Sequence, residues 1–175
     1  VGESGCGKST LGLSTIRLVP PPGNIASGHI VLGETDIINC SDEDIRKVRG
    51  KRVGYIFQDP MTSLNPVKRI GAHFVEMIHT HEPEVSKQDA LKRGKDVLER
   101  LGILPERIDD FPHQFSGGMR QRVMIGLALA LGPDLLIADE PTTSLDVIVE
   151  AQIIELLKEL KESLKLTLIL ITHNI

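Results

Sequence analysis

Apolar residues recur along the chain in two rhythms, and the change from one to the other lays out its architecture. Leu135-Leu136-Ile137-Ala138 and the run 166–171 are short and uninterrupted, as in strands buried on both faces of a parallel sheet. Between them, residues 147–164 place Ile153, Ile154, Leu156, Leu157 and Leu160 along one face of a helix. Residues 52–57 form a further, largely apolar run of strand type. From about Met61 to Leu131 the rhythm is helical. Ile70, Phe74, Val75, Met77 and Ile78 cluster at helical spacing, and Ala90, Leu91, Val97, Leu98 and Leu101 repeat the pattern over residues 86–101. A third helix is expected to start at Ser116 and run through Ala130. The pattern predicts an α/β fold, a mostly parallel sheet with an inserted helical subdomain: core over residues 1–60, helical lobe over 61–131, core again over 132–175, together one domain.

Nearer the N-terminus the pattern is broken by turn residues. Residues 10–16 suit a helix, which Pro20-Pro21-Pro22-Gly23 is expected to stop, since proline lacks a donor and clashes with the preceding turn. Residues 28–33 read as a short strand ending in a turn, with 35–38 as a partner. Ser41-Asp42-Glu43-Asp44 opens a short solvated helix, with Arg46, Lys47 and Arg49 gathered at its end, favourable to both ends of the helix dipole. Strand–helix–strand alternation puts ligands at the carboxyl ends of strands. Gln58, Asp139 and His173 each fall just past such an end. Only Val1 precedes the glycine-rich opening, and the chain stops directly after an apolar run, so we expect it to be the middle of a longer protein.

Composition narrows the function classes. Of 175 residues, 41% are hydrophobic and 25% charged, ordinary values for a globular protein able to bury a core. Aromatics are scarce at 3% and Trp is absent, which argues against a base-stacking surface. A net charge of −4 argues against wholesale binding of a phosphate backbone, so no nucleic-acid partner is expected. Cys6 and Cys40 make no disulfide framework, which fits a reducing compartment. No apolar run approaches the ~18 residues of a spanning helix.

Gly2-Glu3-Ser4-Gly5-Cys6-Gly7-Lys8-Ser9-Thr10 matches the phosphate-binding loop G-x-x-x-x-G-K-[ST]. Its glycines let the backbone curl so that successive N–H groups face a phosphate, Lys8 reaches the β- and γ-phosphates, and the Ser9 hydroxyl can ligate Mg²⁺. The competing reading is a glycine-rich turn capping an ordinary helix. Leu135 to Ala138 runs into Asp139 and Glu140, an apolar strand ending in two acids. Asp139 is placed to hold Mg²⁺ and Glu140 to polarise an attacking water. Ser116-Gly117-Gly118 offers a hydroxyl and unhindered N–H groups at a helix start, a second anion site. One loop already cradles the phosphates, so this second site makes sense against the nucleotide of another subunit. His79 and His81, with Glu76 and Glu82 nearby, suggest a metal site only weakly. Histidines at i and i+2 point to different helix faces, and a solvated helix end is the simpler reading.

With Phe115-Ser116-Gly117-Gly118-Met119 in place, the chain resembles ATP-binding-cassette ATPases over nearly its whole length. Gln58 stands as the Q-loop glutamine, Ser144-Leu145-Asp146 as the D-loop and His173 as the switch histidine. The segments 57–66, 117–122 and 138–143 are similar to ATP-binding subunits of oligopeptide and dipeptide importers and the related nickel importers. Phe115 replaces the usual Leu, Met119 the usual Gln (as is normal in the peptide branch), and Asn174 the Asp that follows the switch histidine. The resemblance implies ATP and Mg²⁺ as cofactors. Gly2, Glu3, Ser4, Gly5, Cys6, Gly7, Lys8, Ser9, Thr10 and Gln58 are implied to hold one nucleotide, which Ser116, Gly117 and Gly118 of a second such ATPase subunit, identical or homologous, complete. Ser9, Gln58 and Asp139 would surround Mg²⁺, and Glu140, His173 and Lys8 would carry hydrolysis. It also implies integral membrane permease partners, an extracytoplasmic substrate-binding protein reached through them, and a peripheral place on the cytoplasmic face of the inner membrane. Cassette ATPases acting on ribosomes or DNA, and a nucleotide-binding module without turnover, are the alternatives.

Overall fold

A computed structural model of the chain describes residues 5–58 and 63–172; Gly2, Glu3, Ser4 and His173 lie outside them. Helix α1 (Lys8–Ser14) follows the glycine-rich turn. It closes through bonds from Leu18 N–H to the Leu13 carbonyl (2.9 Å) and from Arg17 N–H to the Ser14 carbonyl (3.1 Å), with Arg17 at φ 52. This is the Schellman closure, with arginine where glycine is usual. The helix therefore ends before the proline run that the sequence suggested would stop it. Arg17 holds its position by donating to the Cys40 carbonyl (2.9 Å) and Asp42 Oδ1 (3.0 Å).

Strands β1 (Val31–Leu32) and β2 (Thr35–Asp36) form a small antiparallel hairpin. Helix α2 (Asp42–Val48) is N-capped by Ser41, whose hydroxyl accepts from Asp44 N–H. Its charged face is solvated, as expected, but Ile45 and Val48 are buried with Ile16, Ile37 and Val53. Arg49, read as one of the basic residues at the end of a solvated helix, instead turns inward and donates to the carbonyls of Ile16 (2.8 Å) and Arg17 (2.9 Å).

Strands β3 (Val53–Ile56), β4 (Leu135–Asp139) and β5 (Thr167–Ile171) form a parallel sheet in the order β3-β4-β5. Every residue of β4 is buried, as its unbroken apolar run requires. The same expectation for β5 is corrected, because Ile169 and Leu170 are 41% and 38% exposed. Among the described residues β5 is paired with β4 alone, so one edge and much of its surface stay open.

The connection from β3 to β4 carries α3 (Ile70–His81), α4 (Lys87–Arg100), the 3-10 turns Pro105–Asp109 and Pro112–Gln114, and α5 (Gly117–Leu129). The return to β5 runs through α6 (Val147–Leu164), capped by Asp146. From Val123 on, helix α5 is apolar all round, which lets it join two cores. Val123 and Met124 pack with Ile70, Phe74 and Leu98, while Ile125 and Ala128 pack with Ile56, Leu136 and Ile153.

The end of α3 was expected to be solvated, and it is only partly so: Thr80 is exposed, while His79, His81 and Glu82 are half-buried. The His81 ring lies against Gly50. Glu82 Oε2 accepts from Arg93 at 2.7 Å, and its Oε1 lies 4.0 Å from Lys51 Nζ. The turn before β3 is thereby tied to the helices. Burial, and after it the charge of Lys51, hold His81 below the usual 6.5. A depressed folded pKa means that this contribution to stability is complete above the ordinary histidine range and is lost as pH falls through it. Thermal melts at about pH 7.5 and about pH 5 should therefore show a smaller acid-induced loss of Tm for His81→Gln than for the wild type. Equal losses would remove His81 from that role.

Candidate functional site

The opening turn is shaped by its backbone. Gly5 and Gly7 sit at φ 80 and φ 91, and a Cβ on either would meet no atom within 4 Å. Conformation selects glycine here, and crowding does not. The concave turn of N–H groups that results is a fitting shape for an anion. Lys8 opens α1 behind it, with Nζ 4.0 Å from Cys6 Sγ, while Gly5, Cys6, Gly7 and Thr10 are exposed.

Ser9, half-buried on the same turn of α1, donates to Asp139 Oδ1 at 3.0 Å. The Tyr55 hydroxyl donates to Asp139 Oδ2, also at 3.0 Å. Asp139 is only 5% exposed, so each oxygen of a buried carboxylate accepts a bond. Burial, and next the carboxylate itself, push the Tyr55 phenol well above its usual value, so it remains a donor. Tyr55 was not singled out from sequence. Its one signal was being the sole tyrosine of the chain, in an otherwise apolar strand.

Glu140 follows at the carboxyl end of β4. Gln58 Nε2 donates to its Oε2 at 2.9 Å and Thr143 Oγ1 to the same oxygen at 3.3 Å. Its backbone is at φ 45, held by a bond from its N–H to the Ile171 carbonyl (2.9 Å). A non-glycine residue at positive φ costs about 1 kcal/mol or more and persists where its surroundings impose it. The structure thus makes two polar pairs, Ser9 with Asp139 and Gln58 with Glu140, and puts Gln58 on Glu140 and not on Asp139.

Ser116 is exposed and N-caps α5, its hydroxyl accepting from Met119 N–H at 3.3 Å. Gly118 answers a packing demand, since a Cβ there would stand 2.5 Å from Val149 Cγ1 on α6. Among the described residues, Ser116, Gly117 and Gly118 make no hydrogen bond to the opening turn, Gln58, Asp139 or Glu140. Among the described residues, then, no hydrogen bond joins the two anion sites within one chain.

The family model described as ABC transporter matches residues 1–143. This chain belongs to the ABC transporter family. Among its relatives in that family, the oligopeptide transport ATP-binding protein OppD of Bacillus subtilis is 50% identical over all of this chain and 49% of its own length. The dipeptide transport ATP-binding protein DppD of Escherichia coli is 46% identical over all of this chain and 54% of its own. The chain spans about half the length of these curated relatives. Among solved structures, the ATP-binding cassette MJ0796, in a dimeric post-hydrolysis state bound to ADP and Pi, superposes with a TM-score of 0.78. It is 28% identical and covered over 99% of this chain and 72% of its own. The ABC transporter component cbiO1 of Clostridium perfringens gives 0.82 at 32% identity, over 99% of this chain and 65% of its own. The α/β fold with a parallel sheet is thus that of ABC cassettes.

Proposed function

We propose that the chain is the nucleotide-binding and ATP-hydrolysing part of a subunit that powers an importer of oligopeptides or dipeptides. The observation that carries this reading is the pairing of Ser9 with Asp139 and of Gln58 with Glu140 at the carboxyl ends of β3 and β4, beside the glycine turn. Residues 1–60 and 132–175 are the catalytic core and 61–131 the helical lobe. The backbone of residues 2–10 and Lys8 hold the triphosphate. Ser9 Oγ and the Asp139 carboxylate are hard oxygen donors 3.0 Å apart, a set suited to Mg²⁺, while Gln58 is held on Glu140, the next residue along. Bound there, Mg²⁺ would neutralise charge on the phosphates. Glu140 takes a proton from water as the water oxygen bonds to the γ-phosphorus and the bond from that phosphorus to the β–γ bridging oxygen breaks. His173, which lies outside the described residues, steadies the γ-phosphate. Lys8 balances negative charge that shifts towards the leaving diphosphate.

No hydrogen bond among the described residues joins the Ser116 tip to its own chain's turn, and the tip serves the nucleotide of a second protomer, the same chain or a homologue. ATP then closes the pair and hydrolysis opens it. Gln58, between β3 and the helices, passes this state to permease subunits in the membrane. No helix among the described residues is long and apolar enough to cross a membrane. The placement at the inner membrane's cytoplasmic face is read as docking onto those permease subunits. The relatives' names favour peptides as cargo over nickel.

The test is purification of the full-length protein from its own cells. ATPase activity and co-purification with a permease and a peptide-binding protein are expected. Recovery with ribosomes or DNA, or ATP binding without turnover, would overturn the proposal.

A further inference from the structure

The loop that delivers the chain to Ser116 is closed by a bond from Phe111 N–H to Gln114 Oε1 (2.8 Å) and braced by one further side chain, that of Arg107. Arg107 donates from Nε to Asp110 Oδ2 at 2.8 Å, from Nη2 to the Gln114 carbonyl at 2.9 Å and from Nη1 to Met119 Sδ at 3.4 Å. Its guanidinium carbon stands 4.2 Å from the centre of the Phe115 ring. One planar cation thus touches the residues on both sides of the Ser116-Gly117-Gly118 tip. Met119 also supplies the N–H that Ser116 Oγ accepts, so displacing Met119 displaces the cap. The turn carrying Arg107 is anchored in its own right, because the Asp110 carbonyl accepts from Ile70 N–H at 2.9 Å.

The Arg107–Asp110 ion pair, with side chains 28% and 30% exposed, adds little to stability by itself. Its value is geometric. A Gly-Gly tip has wide conformational freedom, and ordering it only on contact with a ligand would weaken binding. A rigid fork that reaches a carboxylate, a carbonyl, a thioether and a ring face removes that freedom beforehand, which a lysine point charge cannot do. We propose that Arg107 is the positioning residue of the Ser-Gly-Gly tip, acting through Phe115 and Met119 so that the tip meets a neighbouring protomer's nucleotide already formed. This rests on the reading that the tip completes a site across a dimer, and it names the side chain that sets its shape.

The test uses full-length protein. ATP affinity of the protomer is read with a fluorescent ATP analogue, turnover as kcat, and ATP-driven dimerisation by sedimentation in a Glu140→Gln background. Arg107→Ala should lower kcat and weaken the dimer about tenfold, the scale of one charge-assisted hydrogen bond, with protomer affinity unchanged. Arg107→Lys should not restore either. Met119→Leu keeps the volume and removes only the acceptor, so it reports even if Arg107→Ala does not fold. In that same background it should weaken the dimer when Arg107 is intact and add nothing to Arg107→Ala. If Ser116→Ala weakens the dimer while Arg107→Ala and Met119→Leu do not, or if Arg107→Lys restores it, Arg107 has no positioning role. If Ser116→Ala itself has no effect, the cross-protomer reading falls first and takes this inference with it.

Discussion

Replacing Glu140 by Gln in the full-length protein should stop ATP turnover while leaving ATP bound, with kcat reduced about 10²–10⁴-fold, the usual weight of a general base. The substitution isolates basicity from geometry. Glu140 Oε2 accepts from Gln58 at 2.9 Å and from Thr143 at 3.3 Å, and an amide oxygen can accept the same two bonds. The backbone bond to Ile171 that holds φ 45 does not involve the side chain. What the variant lacks is the ability to take a proton. With closure intact and hydrolysis blocked, an ATP-bound dimer should accumulate and be visible by size-exclusion chromatography with ATP and Mg²⁺. Turnover within twofold of wild type, about the error of such assays, would take Glu140 out of the base role.

Lys8→Ala should act one step earlier, on binding. Lys8 is the one cation carried by the opening turn, and charge-assisted bonds to a phosphate contribute about 1.5–3 kcal/mol each. ATP affinity, measured by calorimetry, should fall at least tenfold to a hundredfold on that scale. The fold should survive, because Lys8 belongs to none of the apolar clusters and α1 is closed at its other end by Arg17 and Leu18. Unaltered affinity would count against a phosphate-holding turn. A Glu140 variant that binds but does not turn over, beside a Lys8 variant that does not bind, would separate the two roles.

Phe115 and Met119 stood out in the sequence only as departures from a signature. The structure shows that both touch Arg107, which nothing in the sequence had marked. Tyr55 is a similar case: a strand residue by pattern, and a hydrogen-bond donor to Asp139 by position. The helix end at His81 and Glu82 was read as solvated, and the turn at Gly50 and Lys51, far away in sequence, covers part of it.

The elements and the residue types of the site are legible along the chain. Helical phase, apolar runs, the Ser41 and Ser116 caps and the glycine spacing are set within a few neighbours along the chain, and such local rules can be read directly. Which of those residues meet is set by packing between distant parts of the chain. Ser9 reaches Asp139 across 130 positions, and Gln58 reaches Glu140 across 82. The second pairing follows from the register of β3 on β4, which aligns Ile56 with Ala138, and a shift of one residue would turn the side chains to the opposite face; the first needs α1 packed against the end of β4.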